Sequence, residues 1–123
     1  MKVNVVNPSL ELDKAKEMEF LVLQKFGSGE TGAFWSEAGA QSPWEMHPEC
    51  DELLHIIEGK IELEILPSDA GECSTFILTA GSFFVVPTAC WHRQRILERV
   101  KQYYVTPGPT LHSQATDPRS ASY

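Results

Sequence analysis

The chain has 123 residues, 42% of them hydrophobic, which suits one domain with one packed core. Its 17 acidic residues outnumber the 10 basic ones and give a formal net charge of -7. This balance argues against nucleic acid or an anionic membrane as the partner, because phosphate groups are bound by clustered Lys and Arg. No apolar stretch approaches the roughly 20 residues that span a bilayer.

The N-terminus and the cysteines favour a cytoplasmic location. No long apolar run follows Lys2, so the first residues do not have the pattern of an export signal. The three cysteines (Cys50, Cys73 and Cys90) are odd in number and show no CxxC spacing, which argues against a disulfide framework.

Short β-type runs separated by turn residues occupy the first third of the chain. A Val-rich run at 3–6 precedes the turn-forming pair Asn7-Pro8, and the charged segment 10–19 predicts a helical turn or a loop. Two further strands are predicted at 20–26 and 32–37.

The pattern is clearer from residue 52 onward. Ile61, Leu63 and Ile65 alternate with charged residues, which is typical of a half-buried strand. The predicted strands are 52–57, 60–66, 74–78, 83–86, 90–97 and 100–106, with a tight turn at 58–60. Regular structure is expected to end at 107–109, and residues 114–123 predict a flexible tail. Many short strands without a long helical period indicate an all-β antiparallel sandwich or barrel, with one domain over residues 1–113.

The first cluster of polar residues lies between Trp44 and Glu52. Glu45 and His47 are two residues apart, so a strand would place both side chains on one face. A short turn would then bring Glu52 back beside His47, with Leu54 and Ile56 sharing the inner face.

The second cluster ends at His92. Gly81 and Pro87 bracket a predicted strand, and His92 follows the next turn, where Cys90 and Gln94 share its parity. In a closed sheet, His92 could face the same interior as the first cluster. Neutral imidazoles and carboxylates are the usual ligands of Mn, Fe, Zn and Ni, and a divalent cation would offset the cost of a carboxylate inside a barrel.

These spacings resemble the two motifs of the cupin superfamily, and in particular its small single-domain bacterial members. His47, four residues, Glu52, six residues and Gly59 follow the second half of the first motif. Gly81, five residues, Pro87 and then His92 follow most of the second. The resemblance implies a jelly-roll barrel (an antiparallel double-stranded β-helix) with a divalent metal on His47, Glu52 and His92.

The sequence departs from the cupin pattern at several positions. Glu45 replaces the leading His of the first motif, whose leading Gly is also missing. Ala89 and Ile96 replace the Gly and Asn of the second. The resemblance therefore implies a set of two His and two carboxylates, with Glu45 as the fourth ligand or, failing that, as a general base.

Structural roles are the alternatives for these residues. His47 could be a surface turn residue, Glu52 could form a salt bridge, and Glu45 is equally compatible with either role. Cys90 could line the pocket or be a buried structural thiol. Tyr104 is a weaker candidate for a pocket contact.

Three further polar features have surface interpretations. The parity of His55 predicts that it faces away from the pocket, towards a subunit contact. His112 is expected to be an ordinary surface residue. Arg93 and Arg95 share a strand face, which indicates a solvated surface or, as the minority alternative, a clamp for an anionic substrate.

Two main functions remain open from the sequence. One is a metal-dependent enzyme on a small molecule, an oxygenase, isomerase or lyase. The other is a non-catalytic module that binds a metal or a small ligand, and an empty pocket serving as a dimer scaffold is a third. A homodimer is expected, with the run at 3–6 as a candidate for strand exchange.

Overall fold

The computed structural model describes residues 4–120. They form a curled antiparallel sheet, and the predicted all-β class is confirmed. The strands are β1 (Leu21–Phe26), β2 (Gly29–Ser36), β3 (Trp44–Met46), β4 (Glu52–Leu66), β5 (Ser74–Thr79), β6 (Phe83–Val86), β7 (Trp91–Thr106) and β8 (Leu111–Ser113). Helix α1 (Pro8–Leu12) precedes them, and a 3-10 turn (Pro118–Ser120) follows.

Strands β4 and β7, the two longest, form the main strand pair of the barrel. They pair antiparallel from Leu53 opposite Val105 to Leu66 opposite Trp91. The strand order β1-β2-β7-β3-β8 extends the sheet on one side of β7, while β4 also pairs with β5 and β6. This arrangement brings β3, β4 and β7 together at one end of the barrel.

Each of these long strands was predicted as two shorter ones. In β4 the expected turn at Glu58-Gly59-Lys60 is a bulge, where the register with β7 shifts. Gly59 has a φ of +87°, and the bulge moves the inward set from Leu54 and Ile56 to Ile61 and Leu63. The strand therefore bends and continues where a hairpin was predicted.

The core is built from the inward-facing positions of the paired strands. Its largest cluster is apolar and consists of Phe34, Leu54, Ile56, Ile61, Leu63, Ile65, Leu78, Val86, Ile96 and Val100. A second cluster of Trp44, Leu66 and Trp91 packs beneath β3 and β8. The alternation seen in the sequence thus sets which face of each strand is buried.

The two ends of the chain differ from expectation. No strand forms over 4–6, where Val5 is fully exposed, and the rest of the predicted strand at 3–6 lies outside the described residues. Asn7 instead caps α1 by accepting hydrogen bonds from the Ser9 and Leu10 amides.

The segment expected to be a tail lies against the barrel over its described part. The Arg119 guanidinium donates to the carbonyls of Pro67, Asp69 and Gly71 at 2.7–3.3 Å, and Pro118 is fully buried. No helix among the described residues is long and apolar enough to cross a membrane.

Candidate metal centre

Three strands bring four side chains that could bind a metal to one end of the barrel. Glu45 lies on β3 opposite His92 on β7, and His47 follows the last residue of β3. Glu52 is the first residue of β4. One candidate ligand atom from each of the four lies within 4.8 Å of the others, a spacing that could hold a metal ion.

Glu52 lies at the centre of this group. Its Oε2 is 3.2 Å from the Nε2 of His47, and its Oε1 is 3.2 Å from the Nε2 of His92. The Nε2 of His92 is also 3.8 Å from the Oε2 of Glu45. Glu52 and both imidazoles are almost completely buried, whereas the side chain of Glu45 is 27% exposed.

The orientations of the His47 and His92 rings direct one nitrogen of each, Nε2, towards Glu52. Nδ1 of His92 is 3.4 Å from the carbonyl of Cys90, an acceptor that favours a proton on Nδ1 and a lone pair on Nε2. Nδ1 of His47 is 3.0 Å from the Thr110 hydroxyl. Both Nε2 atoms are buried, and their contacts with Glu52 lack hydrogen-bond alignment, so neither has a hydrogen-bond partner.

The electrostatics favour an ionised Glu52. Burial alone would raise the pKa of this carboxyl, but the adjacent His47 and His92 lower it to about 2. For His47, burial acts to lower the pKa, yet the contact with Glu52 and the charges of Glu52 and Glu45 raise it above 6.5. Thr106 adds a hydroxyl that donates to Oε2 of Glu52 at 2.5 Å.

A cavity of about 320 Å³ opens above the four residues. Of the predicted pocket-lining residues, Leu54, Gln94 and Tyr104 belong to its wall. Ile56 does not, because it lies deeper, where apolar side chains fill the barrel. Cys90 is also outside the wall, because it occupies the turn before β7 and strand parity does not apply there.

The two histidines outside the predicted metal site, His55 and His112, lie in different places. His55 faces away from the cavity and stacks on Phe83, with ring centroids 4.2 Å apart. His112 was expected to be an ordinary surface residue, and its side chain is 59% exposed, but it also lines the cavity, with its Nε2 3.3 Å from Oε1 of Glu45. The reason is β8, which pairs His112 directly with Glu45 after the predicted end of regular structure.

Thr106 and Thr110 support the site but carried no clear sequence signal. Thr106 shares the parity of Gln102 and Tyr104, so its inward direction could have been inferred. Thr110 lies between a proline-rich turn and a strand that the sequence did not predict.

Residues 36–100, slightly more than half of the chain, match the family model described as a cupin domain. The chain belongs to the cupin family. No curated protein matches it. A cupin-2 domain protein of Shewanella frigidimarina superposes with a TM-score of 0.64 at 17% identity, covering 89% of this chain and 95% of that one.

Two other similar structures contain further domains or segments. An oxalate decarboxylase mutant of Bacillus subtilis gives a TM-score of 0.60 at 24% identity, covering 67% of this cupin chain and 23% of that one. The cupin domain of Cnp3 from Schizosaccharomyces pombe gives 0.60 at 25% identity, covering 69% and 60%. This chain therefore spans about a quarter of the decarboxylase, and the likeness shows a shared fold.

Proposed function

We propose that this cupin is a metal-dependent enzyme that acts on a small molecule. A divalent ion, Mn, Fe, Zn or Ni, would be held by His47, Glu52 and His92, with Glu45 as the fourth ligand. The observation that supports this most strongly is the pair of buried Nε2 atoms without hydrogen-bond partners, both facing one ionised carboxylate. Buried polar atoms normally have partners, and a cation would supply one for each.

The donor set suits a borderline or hard cation. Two imidazoles and two carboxylates are ligands that Zn, Mn, Fe and Ni accept, whereas the three cysteines lie outside the group. A bound ion would supply Lewis acidity towards an oxygen or nitrogen of the substrate. The Thr110 hydroxyl and the Cys90 carbonyl orient the two imidazoles, and Thr106 orients the carboxylate.

Glu45 differs from the other three residues in its exposure and its second partner. Its side chain reaches the cavity, and its Oε1 lies 3.3 Å from His112. If an ion is held by His47, Glu52 and His92 alone, Glu45 is placed to accept a proton from a substrate in the cavity. Oxygenation, isomerisation and lyase chemistry are all compatible with this arrangement.

The alternative is a non-catalytic module that binds a metal or a small ligand. An open cavity above the group favours the enzyme, because a structural site closes its coordination sphere with protein ligands. The substrate named for the oxalate decarboxylase does not suit this cavity. Among the described residues, no Lys or Arg lines the cavity to receive a dicarboxylate.

Metal analysis of purified variants tests the proposal. Wild-type protein incubated with each of the four metals and then desalted is expected to retain about one ion per chain. His47→Ala and His92→Ala should lose it, while Glu45→Gln should weaken retention without abolishing it. His55→Ala is the matched control, because this imidazole lies on the outer face. Equal retention by His92→Ala and His55→Ala would refute the site.

We also propose a homodimer in a reducing, cytoplasmic compartment. The three free cysteines are compatible with that compartment. The dimer would use an apolar patch on the outer face of β4 and β6, defined by Leu53, His55, Phe83 and Val85 and called the outer patch below. Phe83 is 65% exposed and Val85 is 55% exposed.

A further inference from the structure

We propose that the cavity selects a small ligand with a cationic or hydrogen-donating head, a primary amine in particular, on an apolar body. Its head would bind at Glu30 and Tyr104, beside the metal centre. This inference deepens the proposed function, because it names the substrate class of that same cavity.

The charges that line the cavity are the first observation. Its wall includes the carboxylates of Glu30, Glu45 and Glu52, and no Lys or Arg among the described residues. A divalent ion would add two positive charges against these three negative ones. The Arg93 guanidinium on β7 lies outside the cavity wall, because it pairs with Glu64 and lies over the Trp44 ring. Away from the ion, a ligand anion would therefore be repelled by the carboxylate of Glu30.

Several side-chain hydrogen-bond donors of the cavity are engaged by other protein groups, which is the second observation. Gln94 and Gln102 donate to each other through reciprocal amide bonds of 3.1 and 2.7 Å. The hydroxyl of Thr106 donates to Glu52, and that of Ser42 donates to the Pro43 carbonyl. Few protein donors remain for a ligand carboxylate, so the cavity is rich in acceptors and poor in donors.

Glu30 is the acceptor best placed for a ligand head. It lies on β2 directly opposite Thr106, so it neighbours the residue that holds Glu52. The Tyr104 hydroxyl lies 3.4 Å from its Oε2. Lys25 is its cross-strand partner in the β1–β2 hairpin, but this side chain is exposed and lies outside the cavity wall. An ammonium group could bind this carboxylate.

The cavity wall next to Tyr104 suits an apolar body. Phe20 packs edge-on against Phe34, with ring centroids 4.6 Å apart, and against Tyr104 at 6.5 Å. Phe20 is 48% exposed, so part of this aromatic wall is accessible. The wall is completed by Met18, Leu54 and Ile96. A volume of about 320 Å³ is at the small end of ligand pockets and fits one ring with a short arm.

Three fluorinated probes of matched shape test this inference. Zinc-loaded protein is titrated with 4-fluorobenzylamine, 4-fluorobenzyl alcohol and 4-fluorobenzoate, and binding is followed by fluorine NMR. The amine is expected to bind at least tenfold more tightly than the benzoate, with the alcohol between them. Benzoate binding as tight as that of the amine, or no binding by any probe, would overturn the proposal.

Charge-matched variants locate the head group. Glu30→Gln should weaken amine binding roughly fivefold to tenfold, as expected for the loss of one charge-assisted contact, while zinc content stays unchanged. Glu72→Gln removes the same charge from an exposed loop and should have no effect. Tyr104→Phe provides a second variant, expected to weaken amine binding less than Glu30→Gln. Equal amine binding by wild type and both cavity variants would show that the head binds elsewhere.

The same titration in metal-free protein separates this inference from the proposed function. Without the ion, the cavity lacks two positive charges, so the preference for the amine over the benzoate should increase. A chain that retains no metal but prefers the amine would refute the enzyme and leave the ligand class intact. A chain that retains metal but prefers the benzoate would refute the amine as the ligand class and leave the proposed metal-dependent enzyme intact.

Discussion

Thr106 illustrates how one neutral side chain supports the candidate metal centre. Its hydroxyl donates to Oε2 of Glu52, and the residue is only 4% exposed. Groups that orient metal ligands in this way typically change metal affinity 10- to 100-fold when removed. Thr106→Val keeps the shape of the side chain but deletes the donor.

We expect Thr106→Val to weaken metal binding at least about tenfold. In metal-free protein the lost bond to a charged group should cost about 1.5–3 kcal/mol. Competition with a chelator measures the first effect and urea unfolding the second. Thr79→Val, an exposed position on β5, is the matched control and should change neither. Metal affinity within about twofold of wild type would contradict the role of Thr106.

At the residue level, strand parity and motif spacing predicted part of the site. Within β7, the two-residue period put Gln94 and Tyr104 on one face with His92, and in the structure all three line the cavity. The same rule misplaced Cys90, because that residue precedes the strand. His112 was missed because its position depends on β8 pairing with β3, a contact between chain segments more than sixty residues apart that no local pattern encodes.

At the level of elements, the alternation within strands could be predicted, but their continuity could not. Gly59 and its charged neighbours have the composition of a hairpin turn, and the charged pair at 98–99 also interrupts the apolar pattern. In the structure, neither segment is a turn. The long strands bend there and continue, because β4 and β7 pair on each side of both segments. Tertiary pairing thus overrides the local turn preference.

The bulge at Gly59 predicts a large stability effect. A Cβ at this position would collide with the carbonyl of Arg99, and the φ of +87° disfavours any side chain. Gly39 has a similar φ of +97° but open space around it. Gly39→Ala should therefore cost about 1–2 kcal/mol, the penalty of the left-handed backbone.

Gly59→Ala should cost a further 1–3 kcal/mol or so, the range seen for overpacking. Urea unfolding of both variants at neutral pH gives the comparison. Similar losses in the two variants would mean that the bulge can relax away from Arg99.

The C-terminal segment gives a prediction that depends on pH. Arg119 donates to three loop carbonyls. It also pairs with Asp117, and the hydrogen bonds that its side chain and backbone amide donate to this carboxyl lower the pKa of Asp117 below 3.8. Because the folded pKa is lowered, the contribution of the pair is fully present above pH 3.8 and is lost as the pH falls through the folded value.

Hydrogen exchange of residues 114–119 should therefore show similar structural protection at pH 7 and pH 5, after correction for the intrinsic rates. Arg119→Gln should reduce this protection at both values. Arg99→Gln, which removes a charge from an exposed pair with Glu37, should not. Unchanged protection in Arg119→Gln would show that burial of Pro118 alone holds the segment.

At the scale of the whole molecule, net charge and exposed apolar surface have opposite effects on the association of two chains. Each chain carries a formal charge of -7, so two copies repel at low ionic strength. The outer patch provides the opposing attraction, because its aromatic and aliphatic side chains would leave water on association. Association is therefore expected to strengthen as added salt screens the repulsion.

Light scattering of wild-type protein should give the mass of two 13.8 kDa chains. The double variant Phe83→Ser and Val85→Ser should be monomeric, since it removes both exposed apolar residues of the outer patch on β6. Ile77→Ser is the control, because this residue is 51% exposed on β5, outside the patch. A monomeric wild type would refute the dimer. A dimer that survives the double variant would place its interface on another face of the barrel.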